Sequence, residues 1–138
     1  MTTAVRYHSR SGNTKKLADA VAGAAGVTAE ATGAALTAPV ELVCVGGALY
    51  AGDIDARLKA FIQGLTPALV QTVAVFGTSA FGKSIRPRVA ELLRDKGIAV
   101  EEADFTCKGR FLLTSRGRPN ERDCADAAAF AQKLLGGR

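Results

Sequence analysis

Two hydrophobic rhythms alternate along this chain, and that alternation limits its architecture more than any other feature. Short runs rich in β-branched residues occur at 4–8, 27–31, 42–45, 70–76 and 98–105, lengths that suit buried strands. Between them apolar residues return at helical spacing. Leu17, Val21 and Ala25 form one stripe; Ile54, Leu58, Phe61, Ile62 and Leu65 form a second. Ile85, Val89, Leu92 and Leu93 make a third, and Phe130, Ala131, Leu134 and Leu135 a fourth. Strands that alternate with helices imply a parallel sheet covered on both faces. With right-handed crossovers, the expected fold is a doubly wound α/β sandwich with five strands in the order 2-1-3-4-5. A chain of 138 residues suits one such domain over residues 1–138.

Helix punctuation agrees. Gly97 follows the third stripe as a stop signal, and Pro87 is tolerated only in a first turn, which starts that helix near Ser84 or Ile85. Asn120 followed by Glu121, Arg122 and Asp123 reads as an N-cap with an acid at the third helical position, a capping-box variant. The Ala/Gly-rich stretch 32–41 leaves room only for an abbreviated helix.

Composition narrows the function classes. The longest apolar runs fall far below the ~18 residues that span a bilayer, and the opening residues lack a signal-peptide layout. Cys44, Cys107 and Cys124 form no CxxC pair, so neither a zinc site nor a disulfide framework is expected and the chain reads as reduced and cytoplasmic. The net charge is +5, consistent with an anionic ligand or an acidic partner. Lys108, Arg110, Arg116 and Arg118 form an acid-free cluster, but no aromatics interleave with it as in a single-strand groove, which argues against a nucleic-acid partner.

In doubly wound folds ligands lie at the carboxyl ends of the strands, which points to three segments. After the first strand comes Ser9-Arg10-Ser11-Gly12-Asn13-Thr14, running directly into a helix. Free N–H groups at a helix start attract phosphate. Gly12 would let the backbone approach, the hydroxyls and amide would donate, and Arg10, Lys15 and Lys16 would add positive field. An ordinary N-cap of small polar residues is the plain alternative. After the third strand comes Gly46-Gly47-Ala48-Leu49-Tyr50-Ala51-Gly52, whose glycines permit reorientation and whose Tyr50 would stack on a planar ring. A plain turn with a surface tyrosine is its alternative.

The third segment, Gly77-Thr78-Ser79-Ala80-Phe81-Gly82-Lys83-Ser84, matches the phosphate-binding pattern G-x-x-x-x-G-K-[ST] letter for letter. A nucleotide-hydrolysing P-loop protein also needs a later strand ending in a magnesium-holding Asp. Asp104 follows Glu101-Glu102-Ala103 rather than an apolar run, so P-loop nucleotide binding is the weaker reading.

Together the three segments resemble those of the flavodoxin family. Ser9-x-Ser11-Gly12-Asn13-Thr14 is similar to its [ST]-x-[ST]-G-N-T phosphate loop, and residues 46–52 to its G-S-P-x-Y-x-G ring loop. Thr78, Ser79, Ala80, Phe81 and Gly82 stand where the second flavin loop stands. The resemblance implies non-covalently bound FMN and electron transfer between redox partners. By position, Ser9 to Thr14 would hold the phosphate, and Gly47, Ala48, Leu49, Tyr50 and Ala51 would line the ring and ribityl chain. Tyr50 would stack on the ring, with Phe81 as a second wall. No residue need be catalytic, because the flavin carries the chemistry. Ala48 replaces the family's usual proline, the long-chain insertion in the last strand is missing, and the charge is basic where flavodoxins are acidic. A redox carrier that meets a partner with an acidic docking surface is therefore expected; an FMN-dependent oxidoreductase of the quinone or porphyrinogen type is the alternative. A response-regulator receiver shares the strand order and would use Thr78 and Lys108, but it needs a phosphate-accepting Asp where Val45-Gly46 stand. A flavin-free relic of the fold is a further alternative.

Three side chains have readings of their own. His8, the sole histidine, either touches the phosphate loop or closes a strand end. Cys44 reads as a buried hydrophobe. Cys107, beside Lys108 and Arg110, would have a lowered thiol pKa if exposed.

Overall fold

The computed structural model describes residues 2–109 and 117–136. In chain order it contains β1 (Thr3–Tyr7), α1 (Asn13–Ala25), β2 (Ala29–Ala31), β3 (Val40–Ala48), α2 (Ala56–Gln63), β4 (Val70–Ser79), α3 (Arg86–Leu93), β5 (Ala99–Lys108) and α4 (Glu121–Gly136). All the strand pairings are parallel, and the sheet order is β2-β1-β3-β4-β5. The architecture read from the two rhythms is the one observed.

Side-chain alternation along the central strands explains why both sheet faces are covered. Val43, Val45, Val73 and Val75 point to one face, where Leu58 and Ile62 of α2 and Val89 and Leu93 of α3 close over them. Leu42, Cys44, Ala74 and Phe76 point to the other, against Leu17 and Val21 of α1 and Ala127 and Ala131 of α4. Phe76 and these leucines and valines of the sheet and α1 are fully or almost fully buried. Burial of each contributes about 1.5–3 kcal/mol.

Between β2 and β3 the segment 32–39 forms turns in place of a helix. Arg6, buried in β1, holds it: its Nε donates to the Ala34 carbonyl at 2.9 Å, and its Nη2 lies 3.3 Å from Glu30. α3 begins at Arg86 with Pro87 in its first turn, as the fixed proline φ requires. It ends at Leu93, earlier than Gly97 suggests. The chain then passes through a turn in which Asp95 and Gly97 both have positive φ.

The outer strand β5 is irregular. Val73 pairs with Val100 but Val75 with Asp104, so the one intervening residue of β4 faces three of β5. Arg86 secures this bulge, its Nε donating to the Glu101 carbonyl at 2.7 Å.

β3 and β4 extend three residues further than their apolar runs. Gly46-Gly47-Ala48 and Gly77-Thr78-Ser79 are strand residues: Gly46, Gly47 and Ala48 pair with Phe76, Gly77 and Thr78, and Ser79 pairs with Lys108 of β5. This corrects the reading of Gly46 and Gly47 as pivots in a flexible loop. A Cβ on Gly46 would lie 2.1 Å from the Phe76 ring, and one on Gly47 would lie 2.3 Å from Leu58. One on Gly77 would lie 2.4 Å from the Gly47 carbonyl oxygen. These glycines are needed because nothing larger fits.

Candidate functional site

The carboxyl ends of β1, β3 and β4 meet at one edge of the sheet, and the end of β5 closes it. At α1 the N-cap is Gly12, with φ +88, no side-chain cap and no acid in the first turn. Ser9 Oγ accepts the Gly12 N–H at 3.0 Å and curls the loop. The expected reason for Gly12, close approach, is corrected: a Cβ there would meet nothing within 4 Å. The left-handed backbone is what demands glycine. The result is a helix start with no side-chain cap and no first-turn acid to offset its partial positive charge.

This loop opens into a narrow pit of about 30 Å³. Ser9, Ser11, Asn13 and Thr14 line one side, Ala48, Leu49 and Tyr50 the second, and Thr78, Ser79, Ala80 and Gly109 the third. Thr14 is buried, its Oγ1 3.4 Å from Thr78 Oγ1. The pit adjoins a wider, mainly apolar cleft of about 460 Å³ walled by Leu49, Tyr50, Ala51, Gly52, Ser79, Ala80, Phe81 and Lys83. Phe81 is 80% exposed at the lip.

Ser79 belongs to both spaces. Its Oγ is buried and has no hydrogen-bond partner among the described residues, and such an atom costs about 1–3 kcal/mol unless something meets it. An orphaned hydroxyl between an anion-receptive loop and an apolar cleft suits a ligand with an anionic tail and a planar head.

Tyr50 sits on a tight turn in which the Tyr50 N–H donates to the Asp53 carbonyl at 2.7 Å and the Asp53 N–H donates back at 3.0 Å. Ala51 (φ +49) and Gly52 (φ +84) both take positive φ, the pattern of a type I′ turn. The Asp53 carboxylate ties this turn to α2 through Lys59 at 2.9 Å and to α3 through Arg88 at 3.0 Å. Those cations and the Ile54 N–H hold its pKa well below the usual carboxylate range.

Four of the expected site residues do not line either space. Gly12 caps α1, Gly47 is packed inside β3, and Gly82 stands in the turn beyond the cleft with φ +79. Arg10 turns away from the pit. Its guanidinium lies 3.8 Å from the Tyr50 ring centroid and donates to Asp55 Oδ2 from Nε (3.0 Å) and Nη2 (2.8 Å). Lys15 is paired with Asp19 at 2.9 Å. His8 is a buried strand-end residue with Nε2 3.2 Å from Asp55 Oδ2, off the line of a hydrogen bond.

Sequence reasoning missed Gly109 and Asp55 at the site, and took Gly52 and Lys83 only as parts of the second and third segments. Gly109 enters because its N–H donates to the Ser79 carbonyl at 3.0 Å; no local signal marks it. Cys107 is buried, and desolvation pushes its thiol up to about 12, so the lowered pKa conditional on exposure does not arise. Arg110 and Arg116 of the basic cluster lie outside the described residues, and Arg118 is engaged by Asp123.

The P-loop reading fails on geometry. Gly77, Thr78 and Ser79 are strand, and α3 begins two residues after Ser84. Ser84 Oγ accepts the Arg86 N–H at 2.9 Å and donates to Asp104, a local cap rather than a phosphate cradle.

No family profile and no curated protein matches the sequence. Solved structures do. Flavodoxin 2 from Bacillus cereus superposes with a TM-score of 0.73 over 100% of both chains at 15% identity. The fold is that of the flavodoxins. A flavodoxin from the domain Archaea gives 0.66 at 18% identity, over 99% of this chain and 98% of that one. Rubredoxin oxygen:oxidoreductase from Desulfovibrio gigas gives 0.71 at 20% identity over 98% of this chain, which spans 35% of that longer protein. At these identities the likeness is one of fold. Among the described residues no helix is long and apolar enough to cross a membrane, and no three or more His, Cys, Asp or Glu side chains cluster so as to hold a metal ion.

Proposed function

We propose that this flavodoxin-like protein binds FMN non-covalently and carries electrons between redox partners. The observation that carries the reading is the continuity of pit and cleft across Ser79. One ligand would reach the uncapped start of α1, the orphaned Ser79 hydroxyl and the Tyr50 ring together. The phosphate would lie against the α1 start with Ser9, Ser11, Asn13 and Thr14. Tyr50 would stack on the ring, with Phe81 at its outer edge. When bound, FMN accepts and returns electrons; the chain's part is to hold it, shield one face and set its field. The basic chain suits a partner with an acidic docking surface, with association weakening as salt rises.

The test is direct: purified protein should be yellow and release FMN, not FAD, on denaturation. Ser11→Ala and Thr14→Ala should weaken FMN binding more than riboflavin binding, since those hydroxyls would meet only the phosphate. Equal losses for both ligands, or protein that refuses FMN, would overturn the reading.

A second reading rests on the exposed Phe81 beside an apolar cleft, a lip that would accept a flat organic substrate. An FMN-dependent oxidoreductase would then turn over quinones with a nicotinamide reductant, whereas a carrier would not.

A further inference from the structure

Arg10 joins the two halves of the site. It leaves the β1–α1 loop and reaches Asp55, 45 residues further along the chain. Both its Nε and Nη2 donate to one oxygen, Oδ2, while Oδ1 accepts the Arg57 N–H at 2.9 Å and caps α2. The Asp55 side chain is nine-tenths buried, so the anchor is fixed to a helix rather than to a mobile stem. From that anchor the guanidinium lies on the Tyr50 ring, 3.8 Å from its centroid. One face of Tyr50 is thereby taken.

We propose that Arg10 is a positioning residue that fixes Tyr50 as a one-sided stacking platform before any ligand arrives and couples the phosphate loop to the ring loop. A cation on an aromatic face is attracted by its quadrupole, and a platform fixed in advance spares the ordering cost on binding. The inference rests on the FMN reading for the ligand's identity, but the clamp itself exists without ligand. Because Arg10 meets the ring platform and not the pit, its loss should weaken FMN and riboflavin alike, unlike the loss of Ser11 or Thr14.

The experiment has two arms. In the flavin-free protein, NMR should show the Arg10 side-chain protons shifted upfield by the Tyr50 ring, with the shift lost in Tyr50→Leu. In the flavin-loaded protein, Arg10→Gln should weaken FMN and riboflavin by the same factor, about tenfold if the contact is of ordinary cation–π strength plus preorganisation. Arg10→Lys should recover part of that loss, and Asp55→Asn combined with Arg10→Gln should cost little more than either alone. Arg10 is about half exposed, and a thermal melt of each variant checks that the fold is kept. Unshifted Arg10 protons, or a loss confined to FMN, would overturn the clamp. Shifted protons in a chain that takes up no flavin would leave the clamp standing and overturn the FMN reading instead.

Discussion

Asn120 and Asp123 exchange hydrogen bonds across the first turn of α4: Asp123 N–H donates to Asn120 Oδ1 at 2.9 Å, and Asn120 N–H donates to Asp123 Oδ2 at 2.8 Å. This is the reciprocal cap that the sequence spelled out. Arg118 then grips the same carboxylate from both sides, Nε to Oδ2 at 2.5 Å and Nη2 to Oδ1 at 2.7 Å. Asp123→Ala removes the cap and strands Arg118, so it should cost about 2 kcal/mol. Urea unfolding of the two proteins measures it, and a change below a few tenths would show the cap to be idle.

Acid should destabilise the fold through the same group and two others. The guanidinium of Arg118 holds the Asp123 carboxyl below its ordinary pKa; the Arg57 N–H does so for Asp55, and Lys59 for Asp53. Each folded carboxyl binds its proton less readily than the unfolded one. The stability from these groups is therefore complete above the unfolded carboxyl range, near pH 4, and disappears as pH falls through the lower folded values. Urea midpoints from pH 6 down to pH 2 should drop, and Asp123→Asn should flatten the drop. A midpoint that rises in acid would contradict the assignment.

The tight meeting of β3 and β4 predicts an unusual sensitivity. Gly77→Ala drives a methyl to 2.4 Å from a backbone oxygen, which no rotamer change can relieve. A loss of about 2 kcal/mol or more is expected, of the kind overpacking produces. Gly23→Ala in α1, where a Cβ meets nothing within 4 Å, should instead stabilise by roughly 0.5–1 kcal/mol. Chemical denaturation of both separates crowding from propensity.

Alkylation should sort the cysteines. Cys107 is buried with its thiol raised to about 12, and Cys44 is buried in β3, whereas Cys124 is only partly covered. Iodoacetamide at pH 8 should mark Cys124 first and the other two only on unfolding. Rapid labelling of native Cys107 would show that its strand opens.

A positive chain should also make the fully reduced flavin easier to form than in acidic flavodoxins, because the field favours the added negative charge. Redox titration against low-potential dyes tests this, and an equally low potential would show that local contacts outweigh net charge.

Strand order, helix faces and the cap of α4 were legible because each is written in residues close together. The site was legible in part, as three segments in the right places. Its details were not. Gly46, Gly47 and Gly77 look like loop residues until Phe76, Leu58 and the opposing backbone are placed against them. Arg10 looks like a phosphate ligand until Asp55 and Tyr50, distant in sequence, claim it. Ala51 carries no mark of its positive φ, since the turn with Asp53 imposes it. Long-range partners decide all of these, and a local pattern does not contain them.

The interruption between Val100 and Asp104 reaches beyond the sheet it belongs to. An outermost ribbon broken in this way, with Glu101 and Glu102 at the break, offers an incoming strand only a short regular stretch, 104–108, in place of one line of donors and acceptors along its whole length. A bulge of this kind works against templated strand addition from that side, and the Arg86 bond to the Glu101 carbonyl helps to hold it.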